Sequence, residues 1–250
     1  MSDKPTETVS VSESVATPAV AATEPAPSLP VVNPSSLPSG FEWWRQTMAY
    51  KTGFMSAEES VQYEQDRLIK ERYAECLSCE KNKQWVMAYS PTVRFMKDQI
   101  EKIGGDISSN NVFCDHCDDF KAGGFHPKYG ILVCQNHVKS RSHLEDTLAH
   151  EMVHYYDNTK FKVDWMNLKH HACSEIRAST LSGECRMMNE LMKGKLARLT
   201  RGHQECAKRR AILSVMANPG CKDEAQATQV VNEVWDSCFN DTRPFDTIYR

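Results

Sequence analysis

The sequence lacks any apolar run near the roughly 18 residues needed to cross a bilayer. Its longest apolar stretches, such as AILSVMA at 211–217, suit a core helix. A membrane role would therefore mean sitting on the surface rather than spanning it. Also missing is an excess of either charge. Thirty Lys and Arg stand against 33 Asp and Glu, a net charge of −3, so no strong pull toward nucleic acid is expected. The first 40 residues contain no aromatic side chain and one basic residue, Lys4. That argues against an Arg-rich transit peptide and against a secretory signal with a basic start. Rich in Ser, Thr, Pro, Ala and Val, this stretch cannot bury enough area to offset its ordering entropy. A disordered tail over 1–40 is expected, followed by one domain over 41–250.

Cysteine, by contrast, is plentiful. The ten are Cys76, Cys79, Cys114, Cys117, Cys134, Cys173, Cys185, Cys206, Cys221 and Cys238. An even number spread across the domain suits a disulfide framework in an oxidising compartment. The rival is a structural zinc site built from CLSC (76–79) and CDHC (114–117). Those pairs are far apart for a zinc ribbon, and six further cysteines would stay unexplained. Spacing alone leaves the connectivity open. Many cysteines without an export signal pose a problem of compartment.

Along the domain, the aromatic cluster FEWW (41–44) is expected to anchor the first segment to the core. Ser56 and Glu59 form a capping box, predicting a helix from 57 to about 80. Ser90 and Pro91 start a second, with Val93, Met96, Ile100 and Ile103 on one face and Gly104 and Gly105 as its stop. Residues 111–137 mix short apolar runs with Gly and Pro, which predicts short strands and turns. Beyond about 142 the pattern is helical, with Ser142 and Glu145 read as another capping box.

That last helix carries LAHEMVHYYD, 148–157. Histidines four apart share one helix face, so His150 and His154 can reach one ion. Glu151 lies beside them, where a carboxylate can take a proton from water and return it to a leaving amine. The alternative, two ordinary helical histidines, fits less well with a capped helix flanked by Leu144, Leu148 and Val153 and preceded by a strand candidate at 131–134. A metzincin would need a ligand six residues after His154, and Lys160 stands there. A third ligand from a second helix is expected instead. Glu175, 21 residues after His154, is favoured, with Asp157 as the rival. Asp157 is better placed to hydrogen-bond a ligand or the second helix.

Other polar residues carry weaker readings. His170 and His171 can stabilise an oxyanion, but capping or surface exposure is the ordinary role for such a pair. Tyr155 and Tyr156 suit core contacts. Arg177 suits an ion pair with Glu175 of small net value, and His116, between Cys114 and Cys117, can join a metal site but better suits a disulfide loop. The KRR run at 208–210 suits a solvated helix face, with anionic lipid as the minor alternative.

Residues 150–185, HEMVHYYDNTKFKVDWMNLKHHACSEIRASTLSGEC, closely resemble the HExxH peptidase family of the mitochondrial inner membrane. The likeness extends more loosely from about 41 to the C-terminus. It implies that His150 and His154 hold Zn2+ and that Glu151 is catalytic. Asp157, Cys173, Glu175, Arg177 and Cys185 match family positions without assigned roles. It further implies an enzyme that trims the precursor of a mitochondrially encoded ATP synthase membrane subunit and helps assemble the proton-channel sector. The family faces the intermembrane space, where an oxidative import machinery traps cysteine-rich chains. That would account for the cysteines and the missing presequence together.

The expectation is an α+β, mostly helical, zincin-like metallopeptidase with a small sheet, disulfide-stapled behind a disordered tail. One catalytic zinc, peripheral attachment to the inner membrane and no nucleic-acid partner complete it. Substrate would add to an edge strand near 131–134. The competing function is an assembly chaperone for the same sector that does not cut. A protease acting on DNA-bound protein is disfavoured, because a reducing nucleus conflicts with paired cysteines.

Overall fold

The computed structural model describes residues 34–108, 110–118, 120–185 and 202–246. Residues 1–33 of the expected disordered tail lie outside the described residues. Its remainder holds a 3-10 turn, Pro34–Ser36, and the first residue of helix α1, Gly40–Thr52.

The fold is α+β and mostly helical. Helix α2 spans Ala57–Tyr89, capped by the predicted box, in which Ser56 accepts from the Glu59 amide and Glu59 from the Ser56 amide. It runs past residue 80 because nothing breaks helical geometry before Pro91, which opens α3, Pro91–Lys102. Ser90 caps α3, and Gly104 turns the chain away at φ +87°. The FEWW cluster reaches buried residues through Trp43 and not through Phe41 or Trp44. Trp43 stacks on Tyr63 of α2 at 4.9 Å, while Phe41 and Trp44 stay 74% and 54% exposed. Among the described residues α1 packs chiefly on α2, which leaves its other face open.

Three strands follow: β1 Val112–Asp115, β2 Gly123–His126 and β3 Gly130–Cys134. Their order is β1-β3-β2, with β1 and β3 parallel and β2 and β3 antiparallel. The strand at 131–134 is thus central, not the edge expected. Parallel pairing of β1 covers its outer side and leaves β2 at the rim. At the β2–β3 turn Gly130 sits at φ +93°, and a Cβ there would lie 2.2 Å from the Asn111 carbonyl oxygen.

Helix α4, Arg141–Phe161, is the hub. Its cap is Ser140, accepting from the His143 amide at 3.1 Å, and not the predicted Ser142. Glu145 is drawn elsewhere, accepting from Ser90 Oγ at 2.7 Å and joining two helix starts. Val86, Val93, Met96, Ile100, Val112, Ile131, Val133, Leu144, Leu148 and Met152 make one core between α2, α3, the sheet and α4. A second core joins α5, Leu168–Leu181, to α6, Gly202–Met216, and α7, Glu224–Phe239, through Ile176, Ala211, Val215 and Val231. Among the described residues no helix is long and apolar enough to cross a membrane.

Disulfides join Cys79 to Cys114, Cys117 to Cys134, Cys173 to Cys238 and Cys185 to Cys206. The first two consume cysteines of both CxxC pairs, so a four-sulfur zinc site there is ruled out. The framework is incomplete, however: Cys76 and Cys221 remain thiols, on α2 and in the α6–α7 loop.

Candidate metal and active site

His150, Glu151 and His154 lie on α4, and Glu175 lies on α5, which packs across it. All four are buried. One ligand atom each from His150, His154 and Glu175 falls within 4.8 Å of the others. Glu175 Oε2 is 3.6 Å from His150 Nε2, and Oε1 is 3.3 Å from His154 Nε2. Both rings have their other nitrogen engaged. His150 Nδ1 donates to Glu184 Oε1 at 2.9 Å, and His154 Nδ1 donates to Ser174 Oγ at 2.8 Å. In the neutral form of either ring, Nε2 is then the acceptor, aimed at the shared point. This donor set, two oriented imidazoles and a carboxylate, fits a divalent ion such as zinc.

The charges agree with that geometry. Burial opposes ionisation of Glu175, but His154, His150 and His171 outweigh it and hold the carboxyl well below its usual range. Burial likewise opposes charge on His150, yet Glu184 and Glu175 raise it well above an ordinary imidazole. Glu151 moves the other way. Burial pushes its carboxyl up, against the pull of His150 and His154.

Asp157, the rival ligand, turns from the cluster. It accepts from Ser174 Oγ at 3.0 Å and pairs with Arg177, whose Nη2 lies 3.0 Å from Oδ1. Arg177 therefore does not pair with Glu175 as expected from its neighbourhood in sequence. Of the two adjacent histidines, His170 is exposed and accepts from the Asp164 amide. His171 faces the cluster. Asn218 Nδ2 donates to its Nδ1 at 2.9 Å, so the proton sits on Nε2, 3.4 Å from Glu175 Oε1. Tyr155 donates to the Asp106 carbonyl and stacks on Phe125, and Tyr156 is buried. His116 stays between its two disulfides, 3.7 Å from Glu75.

Two residues escaped the sequence reading. Glu184 has no signature of its own within LSGEC, and Arg210 reads as part of the solvated KRR run. The Cys185–Cys206 bond brings them together, because Arg210 stands one helical turn beyond Cys206. Arg210 Nε meets Glu184 Oε1 at 2.6 Å. An acid beside a cysteine of the motif-bearing run was the available signal.

The cluster opens into a cleft of about 790 Å³. Edge strand β2 supplies Gly123, Gly124 and Phe125, α6 supplies Leu213 and Ser214, and Trp165 closes one side. Gly123 touches the helix that carries the site: a Cβ there would lie 3.3 Å from Glu151 Oε1.

Paired helical histidines, a carboxylate from a crossing helix and a buried glutamate beside an open cleft make up the set of groups that a metallopeptidase site requires. A model of the peptidase M76 family matches residues 77–246, and the chain belongs to that family. Among its relatives are proteins named mitochondrial inner membrane protease ATP23. The one from Candida glabrata is 57% identical over 220 residues, 84% of this chain and 98% of the relative. The Saccharomyces cerevisiae protein is 52% identical over 227 residues, 88% of this chain and the whole relative. That of Debaryomyces hansenii is 56% identical over 213 residues, 85% and 90% of the two chains. No solved structure matches. The chain is a peptidase, a hydrolase of peptide bonds, and its kinship is with proteases of the mitochondrial inner membrane.

Proposed function

We propose that this chain is a zinc-dependent endopeptidase, peripheral on the intermembrane-space side of the inner membrane. Its substrate is the N-terminal propeptide of a mitochondrially encoded ATP synthase membrane subunit, and it also assists assembly of the proton-channel sector. The observation that carries the catalytic part is the convergence of His150 Nε2, His154 Nε2 and Glu175 with both Nδ1 atoms held elsewhere. A zinc ion held by His150, His154 and Glu175 would supply polarisation of the scissile carbonyl and a water nucleophile near neutral pH. Glu151 removes the proton from the attacking water at its carboxylate and delivers it to the leaving amide nitrogen. Its raised pKa suits both halves of that shuttle. An extended substrate adds its backbone to the outer side of β2 and lays alternate side chains against Phe125 and Leu213. Four disulfides support import and oxidation by the intermembrane-space machinery as the route of delivery.

The test is Glu151→Gln, which removes the base while keeping the shape. Cleavage of the precursor is expected to fall at least ~100-fold with the fold intact. Assembly of the proton-channel sector should persist in that variant. Wild-type cleavage in Glu151→Gln would end the catalytic reading, and complete loss of assembly would tie the two roles to one event.

A further inference from the structure

The hold on His154 does not stop at Ser174. Ser174 Oγ donates a hydrogen bond to Asp157 Oδ2, and Asp157 is only 1% exposed. Arg177, 2% exposed, answers with Nε at 3.1 Å from both carboxylate oxygens. Its remaining nitrogens reach the far end of the chain. Nη1 donates to the Asp241 backbone carbonyl at 2.9 Å and meets the Asp241 carboxylate at 2.8 Å, and Nη2 donates to the Arg243 carbonyl. Every guanidinium nitrogen is thereby occupied. The terminal segment is fixed in turn by Phe245, stacked on Phe95 of α3 at 4.6 Å, and by Arg243 over the Phe161 ring.

We propose that residues 241–245, with Arg177 and Asp157, form a positioning chain that orients His154 for metal through Ser174. The inference rests on the zinc reading above. A continuous line of hydrogen bonds, 241–243 to Arg177 to Asp157 to Ser174 to His154, fixes which ring nitrogen carries the proton and which faces Glu175. A buried ion pair of this kind costs desolvation and contributes little net stability by itself. Its value here is orientational, since partners behind a ligating imidazole tune metal affinity. Arg is required. A lysine ammonium is compact and cannot serve Asp157 and two backbone carbonyls together.

The experiment measures zinc affinity of the full-length oxidised protein by competition with a chromophoric chelator. Ser174→Ala and Arg177→Lys are each expected to weaken zinc binding about 10–100-fold. A chain ending at Asn240 should do the same with Arg177 and Asp157 untouched. In the Ser174→Ala background, Arg177→Lys should cost little further affinity, because both changes break one line. A folded Arg177→Lys with wild-type affinity, or fully additive losses, overturns the inference. Should Arg177→Lys not fold, the shortened chain decides the matter by the same readout. Failure of both to fold would make the segment a folding staple and overturn the positioning role. A wild-type chain that binds no zinc sinks the metallopeptidase reading and this inference together, whereas unchanged affinity in the variants sinks only the inference.

Discussion

His150 is held by a residue 34 positions away, and that contact makes Glu184 the side chain with the most to lose. Glu184→Ala removes the acceptor from Nδ1 and frees the ring to rotate or change tautomer. Zinc affinity is expected to fall about 10–100-fold. Chelator competition checks this, and intact affinity with lost cleavage would assign Glu184 to substrate instead. The same residues set a pH profile for the metal-free protein. Glu175 and Glu184 have carboxyls lowered from 4.5, so the stability they lend is present above that value and lost on acidification. His150 is raised from 6.5, so its share is complete below that value and lost as pH rises through its folded pKa. The share of metal-free stability owed to these three groups is therefore greatest between about pH 4.5 and 6.5, while Glu151, raised from 4.5 by burial, works against it above that value. Loading with zinc displaces the His150 proton and should move that optimum upward, which melting curves with and without metal will show.

At the scale of elements, the contact between β2 and α4 sets the cleft wall. Alanine at Gly123 would put a methyl 2.8 Å from Thr147 Cγ2 and 2.9 Å from the Leu132 carbonyl. The carbonyl belongs to the paired strand and cannot move aside cheaply, so β2 must shift away from Glu151. Gly123→Ala is expected to cost about 1–3 kcal/mol of stability. It should cut kcat/KM by roughly 100-fold with zinc affinity unchanged. Melting, kinetics and chelator competition separate these effects. Helix starts such as Ser56 with Glu59 and Ser90 with Pro91 were legible because their partners sit within one turn. So was the spacing of His150 and His154. Strand order was not, since the parallel match of Val112 to Ile131 leaves no local signature and misdirected the edge to 131–134. The α4 cap was misplaced for a related reason: Glu145 satisfies Ser90, 55 residues distant. Arg177 and Arg210 were misread because their true partners come from other elements.

Across the whole molecule, disulfides lock elements that the cores already bring together. Cys173–Cys238 ties α5, bearing Glu175, to α7 over a separation of 65 residues. Replacing both cysteines by alanine is expected to lower stability by about 2–5 kcal/mol, read from denaturant midpoints. An unchanged midpoint would mean that the apolar contacts of α5 with α7 suffice. Cys185–Cys206 acts on chemistry more than on stability, because it holds Glu184 between Arg210 and His150. Cys206→Ser should therefore reduce zinc affinity about 10-fold while most of the fold persists. A chain whose thiols are still reduced has no fixed Glu184 and so only a loosened grip on its ion. On the oxidative import route proposed above, cutting power would rise as that bond closes, and polypeptides met earlier would be largely spared.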